Sequence, residues 1–121
     1  MNKILLVEDN ETTNFISKIL LKNAGIENVD EVHNGVEACE YLKSTCPDII
    51  FLDLNMPIMD GWEFLDEKES KALCNDAKIY LLTSSLHPND KRKAQNYSCI
   101  TSYIEKPLTK EKIADIMNEM A

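Results

Sequence analysis

IIFLDLNMPIMDG, residues Ile49–Gly61, is the stretch on which the fold turns. Its first four residues form an unbroken apolar run, too short for a helix, that stops at Asp53. Such a run reads as a strand buried on both faces, the kind found in the middle of a parallel sheet. Two more runs match it: ILLV at Ile4–Val7, which stops at Glu8 and Asp9, and IYLL at Ile79–Leu82, which stops at Thr83 and Ser84. Weaker candidates around Val29–His33 and Ile100–Ile104 mix polar with apolar residues and read as edge strands.

Helical spacing fills the intervals. Phe15, Ile16, Ile19 and Leu20 make an apolar stripe that Gly25 ends; Ala38, Cys39 and Leu42 make a second after the Asn34–Gly35 turn. Trp62 with Leu65, and Ala94 with Tyr97, give two weaker stripes, the latter on a very polar helix, PNDKRKAQNYS, with Pro88 at its first position. Ile113, Ile116, Met117 and Met120 form the last, with Thr109 as N-cap. Strand and helix alternate five times. That predicts an α/β doubly wound (βα)5 flavodoxin-like three-layer sandwich, with parallel sheet order 2-1-3-4-5.

The chain of 121 residues has room for one hydrophobic core, so residues 1–121 read as one domain with no second, output domain. Its net charge of −8, from 13 basic and 21 acidic side chains, argues against direct nucleic-acid binding. No apolar run reaches the roughly 20 residues of a membrane span or the about 7–15 of a secretory signal, so a cytoplasmic protein without membrane insertion is expected. Cys39, Cys46, Cys74 and Cys99 lie far apart without a C-x-x-C, and read as reduced, semi-buried thiols.

In open α/β sheets the site lies beyond the carboxyl ends of the strands. The residues there are Glu8 and Asp9 after the first strand, Asp53 to Pro57 after the third, Thr83 to Ser85 after the fourth, and Lys106 and Pro107 after the fifth. Three carboxylates at the ends of adjacent strands raise each other's pKa unless a cation compensates. A hard divalent ion, Mg2+ with Mn2+ as a substitute, suits that donor set. Asp53 is a carboxylate of the kind that forms an aspartyl phosphate, and Lys106 and the Thr83 hydroxyl suit the oxygens of a transferring phosphoryl group. A cis Lys106–Pro107 peptide is one way to aim the lysine inward, although most such bonds are trans.

VEDN at Val7–Asn10, FLDLNMPIMDG at Phe51–Gly61, LLTSS at Leu81–Ser85 and EKPL at Glu105–Leu108 together resemble the receiver domains of two-component response regulators. The likeness runs along essentially the whole chain, and the D-x-N-M-P-x-M-D-G run from Asp53 is its most specific part. It implies Asp53 as phosphoacceptor, a Mg2+ site made of Asp9, Asp53 and the Asn55 backbone carbonyl with Glu8 acting through water, and Thr83 and Lys106 as phosphoryl-binding residues. It also implies Tyr103 as an aromatic that changes rotamer when Thr83 moves; read from the sequence alone, Tyr103 is equally an edge-strand aromatic. Asn55 and Ser85 stand where members tune the lifetime of the phosphorylated state. Glu8 departs from the Asp that many members carry, which implies altered metal affinity.

Other residues read blandly. Asp60–Gly61 is a turn and helix start, Met56 and Met59 pack under the loop, His33 and His87 are isolated at strand ends, and Asp90–Lys93 is a solvated helix face. Three rival functions are weaker. A flavodoxin-like cofactor binder wants a phosphate-binding loop where Glu8-Asp9-Asn10-Glu11 stands. An aspartyl-phosphate hydrolase wants an acid where Asn55 stands. A receiver-like interaction module that has lost phosphorylation has no need of the full set of acids, Thr83 and Lys106. The expected protein is therefore a switch and not a conventional enzyme. It is phosphorylated by a sensor histidine kinase or histidine phosphotransfer protein, loses the group slowly by itself, and signals through helix 4, strand 5 and helix 5. The reader is a downstream protein partner, with homodimerisation on phosphorylation another outlet.

Overall fold

The computed structural model describes residues 3–84 and 87–120, with Met120 described in its backbone only. Ser85, one of the two tuning candidates, lies outside the described residues, as does the side chain of Met120 that would end the last apolar stripe. The elements are β1 (Ile4–Val7), α1 (Glu11–Asn23), β2 (Val29–Val32), α2 (Gly35–Ser44), β3 (Ile49–Leu52), α3 (Gly61–Ser70), β4 (Lys78–Thr83), α4 (Pro88–Ala94), β5 (Ile100–Glu105) and α5 (Lys110–Met120). The strands form one parallel sheet in the order β2-β1-β3-β4-β5. This is the expected doubly wound fold, with the three apolar runs at its centre and the two mixed strands at its edges.

Alternation along the strands divides the core. Leu5, Val7, Ile50, Leu52, Ile79 and Leu81 pack with Ala38, Leu42, Phe64, Leu65 and Ala94 from α2, α3 and α4. Ile4, Leu6, Ile49, Phe51, Tyr80 and Leu82 pack with Leu21, Ile113 and Ile116 from α1 and α5. Both faces of the central strands are thus covered, as a continuous apolar run requires. Local signals set the helix ends. Asn10 and Asn34 accept from the third backbone N–H of α1 and α2, Asp60 and Glu63 form a capping box on α3, and Pro88 opens α4. Gly25, at φ 88°, follows the end of α1 as a residue with no Cβ penalty. Thr109 accepts from Lys112 N–H at the start of α5.

Three expectations need correction. The stripe on α1 faces outward: Phe15, Ile16 and Ile19 are 65, 50 and 44% exposed, Leu20 is half-buried, and Asn14, Ser17 and Leu21 face the sheet. The cause is the Asn14 amide, which donates to the Glu8 carbonyl at 2.9 Å and fixes the rotation of the helix. Helix α4 ends at Ala94, and Tyr97 lies beyond it, stacked on Trp62 with ring centroids 5.6 Å apart. The Asp90–Lys93 run is not simply solvated, because Lys91 and Lys93 lie over the rings of Tyr103 and Trp62.

The cysteines need correction as well. Cys46, after α2, and Cys74, after α3, are joined by a disulfide with their Cα atoms 5.4 Å apart. Cys39 and Cys99 carry free thiols, the first buried and the second half-buried. Twenty-eight residues of sequence separation gave no hint of the pairing. The fold creates it by running the two turns side by side under the sheet, where Lys78 N–H donates to the Asp48 carbonyl at 3.0 Å.

Candidate functional site

The site is built where β1, β3, β4 and β5 end. Buried apolar residues fix the strands, so the first polar residue after each has little freedom of position. Asp53 N–H donates to the Val7 carbonyl at 2.9 Å, which locks the two acidic turns together, and Glu8 N–H to the Val32 carbonyl at 3.0 Å ties the first of them to β2. On the other side Lys106 N–H donates to the Thr83 carbonyl at 2.9 Å. Glu8, Asp53 and Thr83 are all buried, whereas Asp9 and Asn55 are exposed at the rim. Met56 and Met59 pack against the core beneath this loop, as expected.

One carboxylate oxygen from each of Glu8, Asp9 and Asp53 lies within 4.8 Å of the others. Lys106 Nζ forms an ion pair with Glu8 Oε1 and lies 3.6 Å from Asp53 Oδ2. Partial burial of its carboxyl, and then the hydrogen bond and charge of neighbouring Glu8, raise the pKa of Asp9 above its ordinary value. Three carboxylates against one ammonium leave excess negative charge, and the donors are all oxygen. That set fits a hard divalent cation such as Mg2+, with Mn2+ an acceptable second. Glu8 differs from its expected place in one respect: it holds Lys106 directly.

Thr83 is fully buried at the end of β4, in register with Glu105. Tyr103 sits half-buried on β5, in register with Leu81, with the Lys91 ammonium 5.8 Å from its ring centre. Glu8, Asp9, Asp53 and Lys106 are therefore gathered at one point, with Thr83 on the adjoining strand and Tyr103 farther along the edge. The Lys106–Pro107 peptide is cis.

Two supporting residues were not legible beforehand. Asn14, 1% exposed, ties α1 to the Glu8 turn. Its one sequence signal was a polar residue amid apolar ones, which helical spacing assigned to the wrong face. Gly61 lets α3 approach the site: a Cβ there would stand 2.7 Å from the Asp53 carbonyl oxygen, so only glycine fits.

The family model of the response regulator receiver domain matches residues 4–118. The chain belongs to that family. A chemotaxis protein CheY of Halobacterium salinarum is 34% identical over 119 residues, covering 98% of this chain and 95% of its own. The sensor histidine kinase CheAY of Helicobacter pylori is 31% identical over 116 residues, covering 94% of this chain but 14% of that larger protein. A two-component response regulator from Cytophaga hutchinsonii has the same fold at a TM-score of 0.87 and 30% identity, covering 97% of this chain and 94% of that one. The receiver is thus a phosphorylation-dependent signalling switch of the two-component class.

Proposed function

We propose that Asp53 is the phosphoacceptor of this receiver, that the 1–121 chain acts as a receiver unit, and that its donor is a phosphohistidine on a sensor histidine kinase or histidine phosphotransfer protein. The observation that carries the reading is the convergence of Glu8, Asp9 and Lys106 on the buried carboxylate of Asp53. An Asp53 carboxylate oxygen attacks phosphorus in line as the phosphorus–nitrogen bond to the donor imidazole breaks, and the imidazole leaves with the electron pair. Asp9, Asp53 and the Asn55 carbonyl would hold Mg2+ or Mn2+, with Glu8 reaching it through water, and the ion would supply charge neutralisation for the phosphoryl oxygens.

Lys106 passes from Glu8 to the new phosphoryl group, and the Thr83 hydroxyl donates to another of its oxygens. That change draws β4 toward the site and biases Tyr103, α4, β5 and α5 toward a second arrangement, which a downstream partner or a second copy of the chain reads. Asn55, an amide where a hydrolase carries an acid, leaves water poorly activated, so self-dephosphorylation is slow. Together with Ser85 it sets the lifetime of the phosphorylated form. The donor approaches across α1. Exposed Ile16, on the same helix as exposed Phe15 and Ile19, lines a groove of about 300 Å³ with Thr13, Lys106 and Pro107, and this apolar ground suits a donor helix. All of this is work for the cytoplasm, where such donors act.

The test is backbone NMR of the chain with Mg2+ and beryllium fluoride, beside an Asp53→Asn variant. Shift changes reaching Thr83, Tyr103 and Lys106 are expected in the wild type and absent from the variant. Changes confined to the metal-binding turns would sink the switch while leaving the fold and the metal site intact.

A further inference from the structure

We infer that Cys46 and Cys74 form a reversible thiol–disulfide modification site at the end of the sheet opposite Asp53, whose co-reactant is a thiol or dithiol reductant. Three observations carry it. The two cysteines are already bonded across the turns that follow α2 and α3. Cys46 is exposed, so its sulfur is open to attack by a thiolate from solution. Cys74 Sγ lies 3.4 Å from the Leu42 carbonyl and 3.7 Å from the Thr45 carbonyl. A disulfide sulfur has no proton to give those oxygens, whereas the reduced thiol has one to donate, with the Leu42 carbonyl the nearer acceptor. Leu42 belongs to the last turn of α2, whose carbonyls lack partners within the helix. The reduced state therefore has a hydrogen bond waiting for it.

The exchange balances as follows. An external thiolate attacks Cys46 Sγ and bonds to it, and the Cys46–Cys74 bond breaks with its electron pair leaving on Cys74, which takes up a proton. A second external thiolate attacks the outer sulfur of the mixed disulfide and expels the Cys46 thiolate, which is protonated in turn. The protein gains two electrons and two protons, and the reductant leaves as its disulfide. The other two cysteines are built differently. Cys39 is buried, and burial raises its thiol pKa; burial and the Glu69 carboxylate push Cys99 up to about 11.

Oxidation ties the end of α2 to the turn spanning residues 71–76, which leads directly into β4. Without the disulfide that turn keeps Leu73 packed on the core and four backbone bonds, from the N–H groups of Lys71, Ala72, Leu73 and Ala77 to the carbonyls of Glu67, Glu69, Lys68 and Cys74, with Ala72 and Cys74 at positive φ. The site therefore sets the order of the α3–β4 connection. It does not touch the acidic cluster, and the inference stands whether or not Asp53 is the phosphoacceptor.

The full chain is equilibrated in buffers of reduced and oxidised dithiothreitol, alkylated with iodoacetamide and mapped by peptide mass. The expected result is a single two-electron transition without denaturant, with the Cys46 and Cys74 peptides linked at the oxidising end and Cys39 and Cys99 alkylated slowly throughout. Reduction should speed amide exchange across residues 71–77 by about tenfold beyond the global change, which β1 and β3 alone should follow. It should also lower Tm by roughly 10 °C, from the entropy of the closed loop. Cys46→Ser and Cys74→Ser should each match the reduced protein, while Cys39→Ser should keep the full oxidised-to-reduced difference. Four free thiols at the oxidising end, a pairing through Cys39 or Cys99, or a bond that yields to the reductant only in denaturant would each overturn the inference.

Discussion

The two edge strands of the sheet have similar sequences and opposite fates. VDEV in β2 and ITSYIE in β5 both mix polar with apolar residues, and both end up largely half-buried. On β2 each acid has committed partners: Asp30 accepts from the Tyr41 hydroxyl at 2.6 Å and pairs with Lys3 at 3.2 Å, and Glu31 pairs with Lys18 and, at 3.1 Å, with His33. Its pairing with β1 runs in unbroken register. The β5 register slips between Ile79 and Tyr80, and α4 buries Ala94 alone among its residues. What steadies that side is chiefly a group of rings and cations: Trp62 on Tyr97, whose hydroxyl donates to Asp66 at 2.8 Å, Lys93 over Trp62 at 4.7 Å, and Lys91 over Tyr103. Charged hydrogen bonds are short and directional and favour one arrangement, whereas a cation above a ring tolerates displacement. The pinned edge brings no side chain to the acidic cluster; the yielding edge ends in Lys106. The more loosely held edge is thus the one along which the proposed phosphoryl signal would be passed on.

The largest way to break this contrast is to remove the ring that joins α3 to the segment after α4. Trp62→Ala deletes a half-buried indole with its stacking and cation contacts. A fully buried tryptophan costs roughly 3–5 kcal/mol on truncation, so about 2 kcal/mol is expected here, read by urea unfolding. The loss should be uneven, with α4 amides exchanging at least about tenfold faster and β2 amides following only the global change. Uniform acceleration at both edges would mean that α4 is not a separately yielding element.

That anchor also marks how far the sequence could be read. The three central strands were legible because burial on both faces demands an unbroken apolar run, and Ile4–Val7, Ile49–Leu52 and Ile79–Leu82 have no competing reading. Their ends then located Glu8, Asp9, Asp53 and Thr83, and the end of the weaker fifth strand located Lys106. Helix faces were less legible, because spacing identifies a stripe but not the direction it faces. On α1 a buried hydrogen bond from Asn14 outweighed the stripe and turned Phe15 outward. The disulfide and the stacking of Trp62 on Tyr97 join residues distant in sequence, and nothing local encodes either.

A smaller effect, at the pinned edge, sharpens the contrast. Tyr41→Phe removes the hydroxyl that donates to Asp30. That hydrogen bond, followed by the one from Lys3, holds the Asp30 carboxyl below its ordinary value of 3.8. A carboxyl whose pKa is lower in the folded state stabilises the protein above its unfolded pKa, and loses that contribution as pH falls through the folded value. The expected loss is about 1 kcal/mol at neutral pH, modest because the pair is partly solvated, and it should fade in acid. Denaturant midpoints at neutral pH and near pH 3 check the sign. A deficit that stayed constant or grew in acid would show that the hydroxyl acts through packing and not through the Asp30 charge.

The smallest effect belongs to the contact nearest the proposed output. Lys91→Ala removes an ammonium 5.8 Å from the Tyr103 ring, a distance near the limit for such an attraction and at a site open to water. Stability should change by less than about 0.5 kcal/mol. The consequence should be local: amide exchange in α4 and β5 should rise about two- to threefold, with β2 unmoved. A yielding edge is one where a change too small to register in global unfolding still shifts local opening. If Lys91→Ala instead cost more stability than Tyr41→Phe, the β5 edge would be the pinned one, and the path from Asp53 to a partner would have to run through another face.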